Sequence, residues 1–163
     1  MATPTDIERV SYGGPKGSLQ LGQHRQIIKE AVATRTLLAK ESGALCLFDL
    51  AAGTVYTLPT PVEGMYFDFM TTVKSTGAHK VITATITAEY LLGTIFGYTT
   101  DVTEIDGFSA NGSSHNNISS NGTTTGGDVG GRYTLTAIST TQWLITGNVF
   151  CGTATPNDPF VAT

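Results

Sequence analysis

Residues 42–72, SGALCLFDLAAGTVYTLPTPVEGMYFDFMTT, constrain the fold more than any other stretch. They hold three short apolar runs (44–49, 54–58 and 65–70), each closed by turn residues. Gly53 and Gly64 supply the backbone freedom that tight connections need, and Pro59 and Pro61 end a strand rather than continue it. In the third run Met65, Phe67 and Phe69 alternate with Tyr66, Asp68 and Met70. That period of two predicts a strand with two different faces. No helical period fits runs this short.

The rest of the chain extends the pattern. Residues 26–38 are ambiguous: Ile27, Ile28, Ala31 and Val32 would suit a helical turn or two, but the TRT that follows and the β-branched content favour strand, followed by a turn at 39–43. Residues 81–88 (VITATITA) read as the clearest strand, and 90–98 as one bent strand with Gly93 and Gly97 marking a bulge or a close approach. Residues 132–138 and 142–151 read as two closing strands. Before these two, residues 101–131 are rich in Gly, Ser, Asn and Thr, and read as a long loop with a short strand near 116–120. Seven to nine short strands without a confident helix predict an all-β sandwich or barrel-like fold with antiparallel pairing. No repeat period is visible, which argues against a propeller or solenoid.

Composition agrees. Only 13% of the 163 residues are charged, against roughly 25% in an ordinary globular protein. Residues 1–40 carry six Lys/Arg and three acids, whereas the remainder carries three bases and ten acids. Two readings of this asymmetry stand side by side: a basic arm that docks on an acidic surface, or a leader kept soluble by its charges. The organisation read from this is an N-terminal arm, residues 1–36, and a body, residues 37–163, that includes the loop 101–131. The basic residues are scattered without an aromatic stripe, so nucleic acid is not an expected partner. No run is long enough for a membrane helix, and MATPTDIERV lacks the positive and apolar regions of a secretion signal. Cys46 and Cys151 each sit in an apolar run and read as buried free thiols, with a disulfide as the alternative.

Chemistry is sparse. His24, His79 and His115 fall in an arm, a turn and a polar loop without ligand spacing, and read as surface histidines. Asp101, Glu104 and Asp106 form an acidic group whose spacing is not that of a calcium loop. The triplets beginning at Asn111, Asn117 and Asn121 match the glycosylation acceptor pattern, but read as the composition of the loop. No cofactor, metal or catalytic residue is expected.

Four segments together carry a family resemblance: LLAKESG from Leu37, LFDLAAG, TVYTLPTPVEGMYFDF, and GGDVGGRYTLTAISTTQWLITG. They resemble the head-decoration, or cement, proteins of tailed bacteriophages. The matching positions are Ser42, Gly43, Ala51, Ala52, Gly53, Leu58, Pro59, Gly64, Phe67, Phe69, Gly127, Asp128, Trp143 and Gly147. The resemblance implies a jelly-roll or β-tulip type sandwich with an extended arm. It also implies a non-enzymatic structural protein on the outer head surface that binds the major capsid protein across capsomer boundaries, as a homotrimer. On that reading Arg9, Tyr12, Lys16, Leu19, Leu21, Arg25, Ile27, Ile28 and Lys29 are the shell-contact candidates, Ile27 and Ile28 serving equally well as the body's first strand. The alternative is a tail-fibre or spike module that binds a host receptor or carbohydrate through residues 101–131.

Overall fold

The computed structural model describes residues 25–29, 32–101 and 103–162. Among the described residues, twelve strands make up nearly all of the regular structure: β1 (Ile27–Lys29), β2 (Thr34–Thr36), β3 (Leu45–Phe48), β4 (Val55–Thr57), β5 (Tyr66–Thr71), β6 (His79–Ile82), β7 (Tyr90–Thr99), β8 (Ile105–Asn111), β9 (Asn117–Ser120), β10 (Asp128–Ala137), β11 (Gln142–Cys151) and β12 (Phe160–Val161). A single 3-10 turn, Ala39–Glu41, lies between β2 and β3. The strands form a seven-stranded sheet in the order β1-β3-β5-β10-β11-β7-β8 and a five-stranded sheet in the order β12-β9-β6-β4-β2. The two pack face to face as an all-β sandwich, as expected. No helix among the described residues is long and apolar enough to cross a membrane.

The pairing is mixed rather than antiparallel throughout. From β1 to β6 the chain passes to the opposite sheet at every connection, so consecutive strands never pair. Each strand instead lies parallel to the one two elements later: β1 on β3, β3 on β5, β2 on β4 and β4 on β6. A parallel pair needs a crossover, and here the strand in the opposite sheet is that crossover. The first half is therefore a flattened coil of three turns. Its steps are unequal, which is why no repeat shows in the sequence. Gly53 marks how closely successive turns approach: its φ is 104°, and a Cβ there would lie 2.3 Å from the Ala78 carbonyl oxygen.

The second half is built from hairpins. β7 pairs antiparallel with β8, and β10 with β11, and β11 then joins the two hairpins by lying parallel to β7. Gly147 sits in β11 where its φ of 142° and the 2.5 Å from a notional Cβ to the Tyr133 Cα exclude any side chain.

Alternation along the strands fills the space between the sheets. One buried row crosses the large sheet in register through Ile28, Cys46, Phe69 and Tyr133. Facing it, Tyr56, Val81, Ile118 and Phe160 cross the small sheet. Phe48, Tyr56, Phe69 and Tyr133 form a connected aromatic cluster, with centroids 5.4 Å (Phe48–Tyr56), 5.7 Å (Tyr56–Phe69) and 5.5 Å (Phe69–Tyr133) apart. Burying such rings is the main driving force of a sandwich.

Three sequence expectations change. Residues 26–38, read as one strand and placed up to residue 36 in the arm, hold two strands, β1 and β2, which pair within the two sheets, so the body extends back to Arg25. The segment 101–131 holds the expected short strand as β9, and beyond it β8 and the start of β10. The run 81–88 is strand only as far as Ile82. Beyond that the Glu89 carboxylate accepts the Ala84 N–H at 3.0 Å and the Thr83 hydroxyl donates to the Glu89 carbonyl at 3.2 Å. Those bonds satisfy the backbone in a turn, and β-branched propensity yields to them.

Candidate functional site

The densest polar cluster lies on the outer face of the large sheet. Phe67 and Phe69 point into the sandwich, so Asp68 between them points out, yet it is only 5% exposed. Its partners cover it. Arg25 Nη1 donates to Oδ2 at 2.5 Å, Arg132 Nη2 donates to the same oxygen at 2.8 Å, and the Thr134 hydroxyl donates to Oδ1. Arg25 also donates from Nε to the Gly43 carbonyl at 2.7 Å and from Nη2 to the Ala44 carbonyl at 3.0 Å. Burial alone would raise the Asp68 pKa. The bonds from Thr134, Arg132 and Arg25 outweigh it and hold the carboxyl below its usual range. A carboxylate saturated with donors and fixed as an anion suits clamping better than proton transfer. It ties the residue entering β1 to the centre of the sheet.

A second clamp fixes the 3-10 turn. Arg35 Nη2 donates to the buried Glu41 carboxylate at 2.5 Å, and the other Glu41 oxygen accepts the Leu38 N–H at 2.9 Å. Behind it Cys46 is fully buried, and burial, with Glu41 nearby, pushes its thiol up to about 12. Cys151 is also buried and free, its thiol donating to the Thr124 carbonyl at 3.0 Å. Neither thiol has the low pKa that a nucleophile needs.

His79 corrects the expectation of a surface histidine. It is buried in β6 and stacks on Phe48 with centroids 4.6 Å apart. Its Nδ1 accepts the Thr54 N–H at 3.2 Å, so Nε2 carries the proton and donates to the Val73 carbonyl at 3.2 Å. Burial lowers its pKa, against the Val73 bond and the Asp49 charge. His115 is half-buried, accepts the Asn111 N–H at 3.3 Å and stacks on Phe160. The neighbouring Ser114 hydroxyl accepts from Asn111 Nδ2, not from His115. His24 lies outside the described residues.

Two of the three acceptor-pattern asparagines serve turns. Asn111 Oδ1 accepts the N–H groups of Ser113, Ser114 and His115, at 3.0, 2.9 and 3.4 Å. Asn121 Oδ1 accepts those of Thr123, Thr124 and Thr125, at 2.9, 2.9 and 3.1 Å. Asn117 lies in β9. Asp101 accepts from Thr103, and hydrogen bonds from Thr99 and Thr103 keep its pKa low. Among the described residues no three His, Cys, Asp or Glu side chains group as metal ligands would.

Of the shell-contact candidates, Arg9, Tyr12, Lys16, Leu19 and Leu21 lie outside the described residues. Arg25 is committed to Asp68. Ile28 is 3% exposed and belongs to the core, because β1 pairs with β3 and turns it inward. Ile27 and Lys29, on the opposite face of β1, are exposed. Asp68 escaped the sequence reading, although a lone acid within an aromatic strand is the signal that finds it. No protein-family model and no curated protein matches this chain.

Proposed function

We propose that the chain is a structural protein of a bacteriophage virion. It decorates the outer head surface and binds the major capsid protein across capsomer boundaries, as a homotrimer and without catalysing a reaction. The observation that supports this reading best is the Arg25 clamp. Arg25 bonds Asp68, Gly43 and Ala44 at once, so the point where the preceding residues join the body is fixed. Those residues carry Arg9, Tyr12, Lys16, Leu19 and Leu21, and a gripping segment transmits its hold only through a rigid attachment. Ile27 and Lys29 lie exposed beside that point. By linkage, a subunit that binds only the assembled shell stabilises it according to its free concentration and affinity.

The test is a deletion of residues 1–24 that leaves β1 and β2 in their sheets. The truncated protein should keep its β circular-dichroism spectrum and lose co-sedimentation with pre-assembled, undecorated phage heads. Retention of full binding by the truncated protein would sink the arm assignment. Absence of head binding by the full chain would sink the decoration reading.

A further inference from the structure

At the β7–β8 end, the outer face of the large sheet carries a patch of rings beyond the Asp68 clamp. Phe96 and Tyr98 lie two apart on one face of β7, and Tyr98 meets Phe150 of β11 with ring centroids 5.8 Å apart. Ile105 of β8 stands opposite Tyr98 and is 57% exposed. Phe96 is 48% exposed, an uncommon state for a ring in the middle of a ten-residue strand. Its position has a cause. The residue opposite is Gly107, and the Phe96 ring carbon Cε1 lies 3.6 Å from where a Cβ would stand. The Phe150 ring reaches over Gly130 in the same way, also at 3.6 Å. Both rings recline across glycines of neighbouring strands, and the patch stays shallow.

A row of hydroxyls borders the rings. Thr146, Thr94 and Ser109 lie in register across β11, β7 and β8, all exposed, with the Thr94 and Ser109 oxygens 3.1 Å apart. The cations at the margin are already bonded to carboxylates, and exposed acids, Glu104 and Asp106, stand on either side of Ile105. Arg132, in register with Asn148 and so with Phe96, is paired to Asp68, and Lys74 is paired at 2.6 Å to Asp128, which is in register with Phe150. The patch therefore offers aromatic faces, hydroxyl donors and acceptors, and no uncommitted cation.

The geometry points to a neutral polysaccharide as the ligand of this face. One side of a pyranose ring is a sheet of C–H groups that packs on an aromatic face, while its hydroxyls exchange hydrogen bonds with side chains at the rim. Nucleic acid also stacks on aromatic rings, but its phosphates need free Lys or Arg, and those at this margin are paired. A sulfated or carboxylated glycan meets the same obstacle. A protein partner would be expected to bury a broader apolar core than three rings and one isoleucine.

The experiment is affinity electrophoresis of the full chain in gels containing a neutral β-glucan, mannan or galactan, with heparin and single-stranded poly(dT) as the charged probes. Retardation by at least one neutral polysaccharide is expected, with neither charged probe acting. Phe96→Ala should weaken that binding about tenfold, the loss of roughly one good aromatic contact. Thr94→Val combined with Ser109→Ala removes the hydroxyls at nearly constant shape and should weaken it as well, with thermal unfolding showing that both variants fold. Retardation by no neutral polysaccharide, by heparin or poly(dT) alone, or equally in wild type and both folded variants overturns the assignment. Phe96→Ala should still bind phage heads and the 1–24 deletion should still bind glycan, so this inference and the decoration reading fail separately.

Discussion

The two halves of this sandwich solve the same packing problem in opposite ways. From β1 to β6 the strands have three to six residues, pair parallel, and find their partners only after a visit to the other sheet. From β7 to β11 three of the five strands have ten residues, and two hairpins carry most of the pairing. Short strands supply few ladder bonds, so the first half is fastened by side chains: Asp68 to Arg25 and, across to the second half, to Arg132 and Thr134 of β10, Glu41 to Arg35, His79 to Thr54 and Val73. The second half is fastened mainly by its own backbone, and the asparagine side chains at 111 and 121 cap its turns. Where chain connectivity is non-local, polar clamps do what hairpins do elsewhere.

That contrast makes predictions of decreasing size. Phe69→Ala should cost about 3–5 kcal/mol in urea unfolding, because Phe69 joins Phe48 and Tyr56 of the coil to Tyr133 of the hairpins. A single cooperative transition that moves as a whole would show that the halves fold as one; two separated transitions would break that picture. Asp68→Asn should cost about 2 kcal/mol, since charge-assisted bonds to Arg25 and Arg132 are weakened together. Hydrogen exchange should then accelerate first in β1 and β3, and uniform acceleration would deny the clamp its local role.

The third prediction concerns pH. The His79 pKa is lowered on folding from 6.5, so the unfolded chain binds the proton more readily. Its contribution to stability is complete above about 6.5 and is lost as pH falls through the lowered value. Asp68 is also lowered, from 3.8, and its contribution is lost only at still lower pH. The urea midpoint should therefore decline in two stages on acidification, the first with protonation of the His79 imidazole followed by NMR. An unchanged midpoint between about pH 7 and 5 would contradict the buried neutral imidazole. The smallest effect belongs to the hairpin half: Asn121→Ala should cost about 1 kcal/mol by uncapping one turn, with exchange in β1–β3 unaltered.

This division also explains what the sequence makes legible. The alternation of Tyr133, Leu135 and Ala137, the limits of β11, and the single strand β7 with Gly93 at a close backbone approach are local patterns, and they read correctly. Residues 42–72 likewise announce β3, β4 and β5, but not that β4 belongs to the other sheet. Parallel register is invisible to alternation, because both partners face the same way whichever sheet they occupy. The arm boundary failed for the same reason: β1 and β2 are three-residue strands defined by partners far along the chain. The Asn-Gly turns at 111 and 121 looked like featureless loop because their order comes from one amide oxygen capping three backbone N–H groups. Of the site, Arg25 was legible as a basic residue, but its commitment to Asp68 was not.

The place of β11 has a consequence for how the protein is made. It lies inside the seven-stranded sheet, between β10 and β7, yet it is the last strand of that sheet to leave the ribosome. Until residue 151 emerges, the growing chain holds two incomplete sheet fragments, β1-β3-β5-β10 and β7-β8, whose inner edges face each other with unpaired backbone groups. Such edges invite pairing with other chains. Synthesis thus defers closure of the larger sheet to its final strand, and a nascent chain stopped short of β11 is exposed to aggregation where the finished one is sealed.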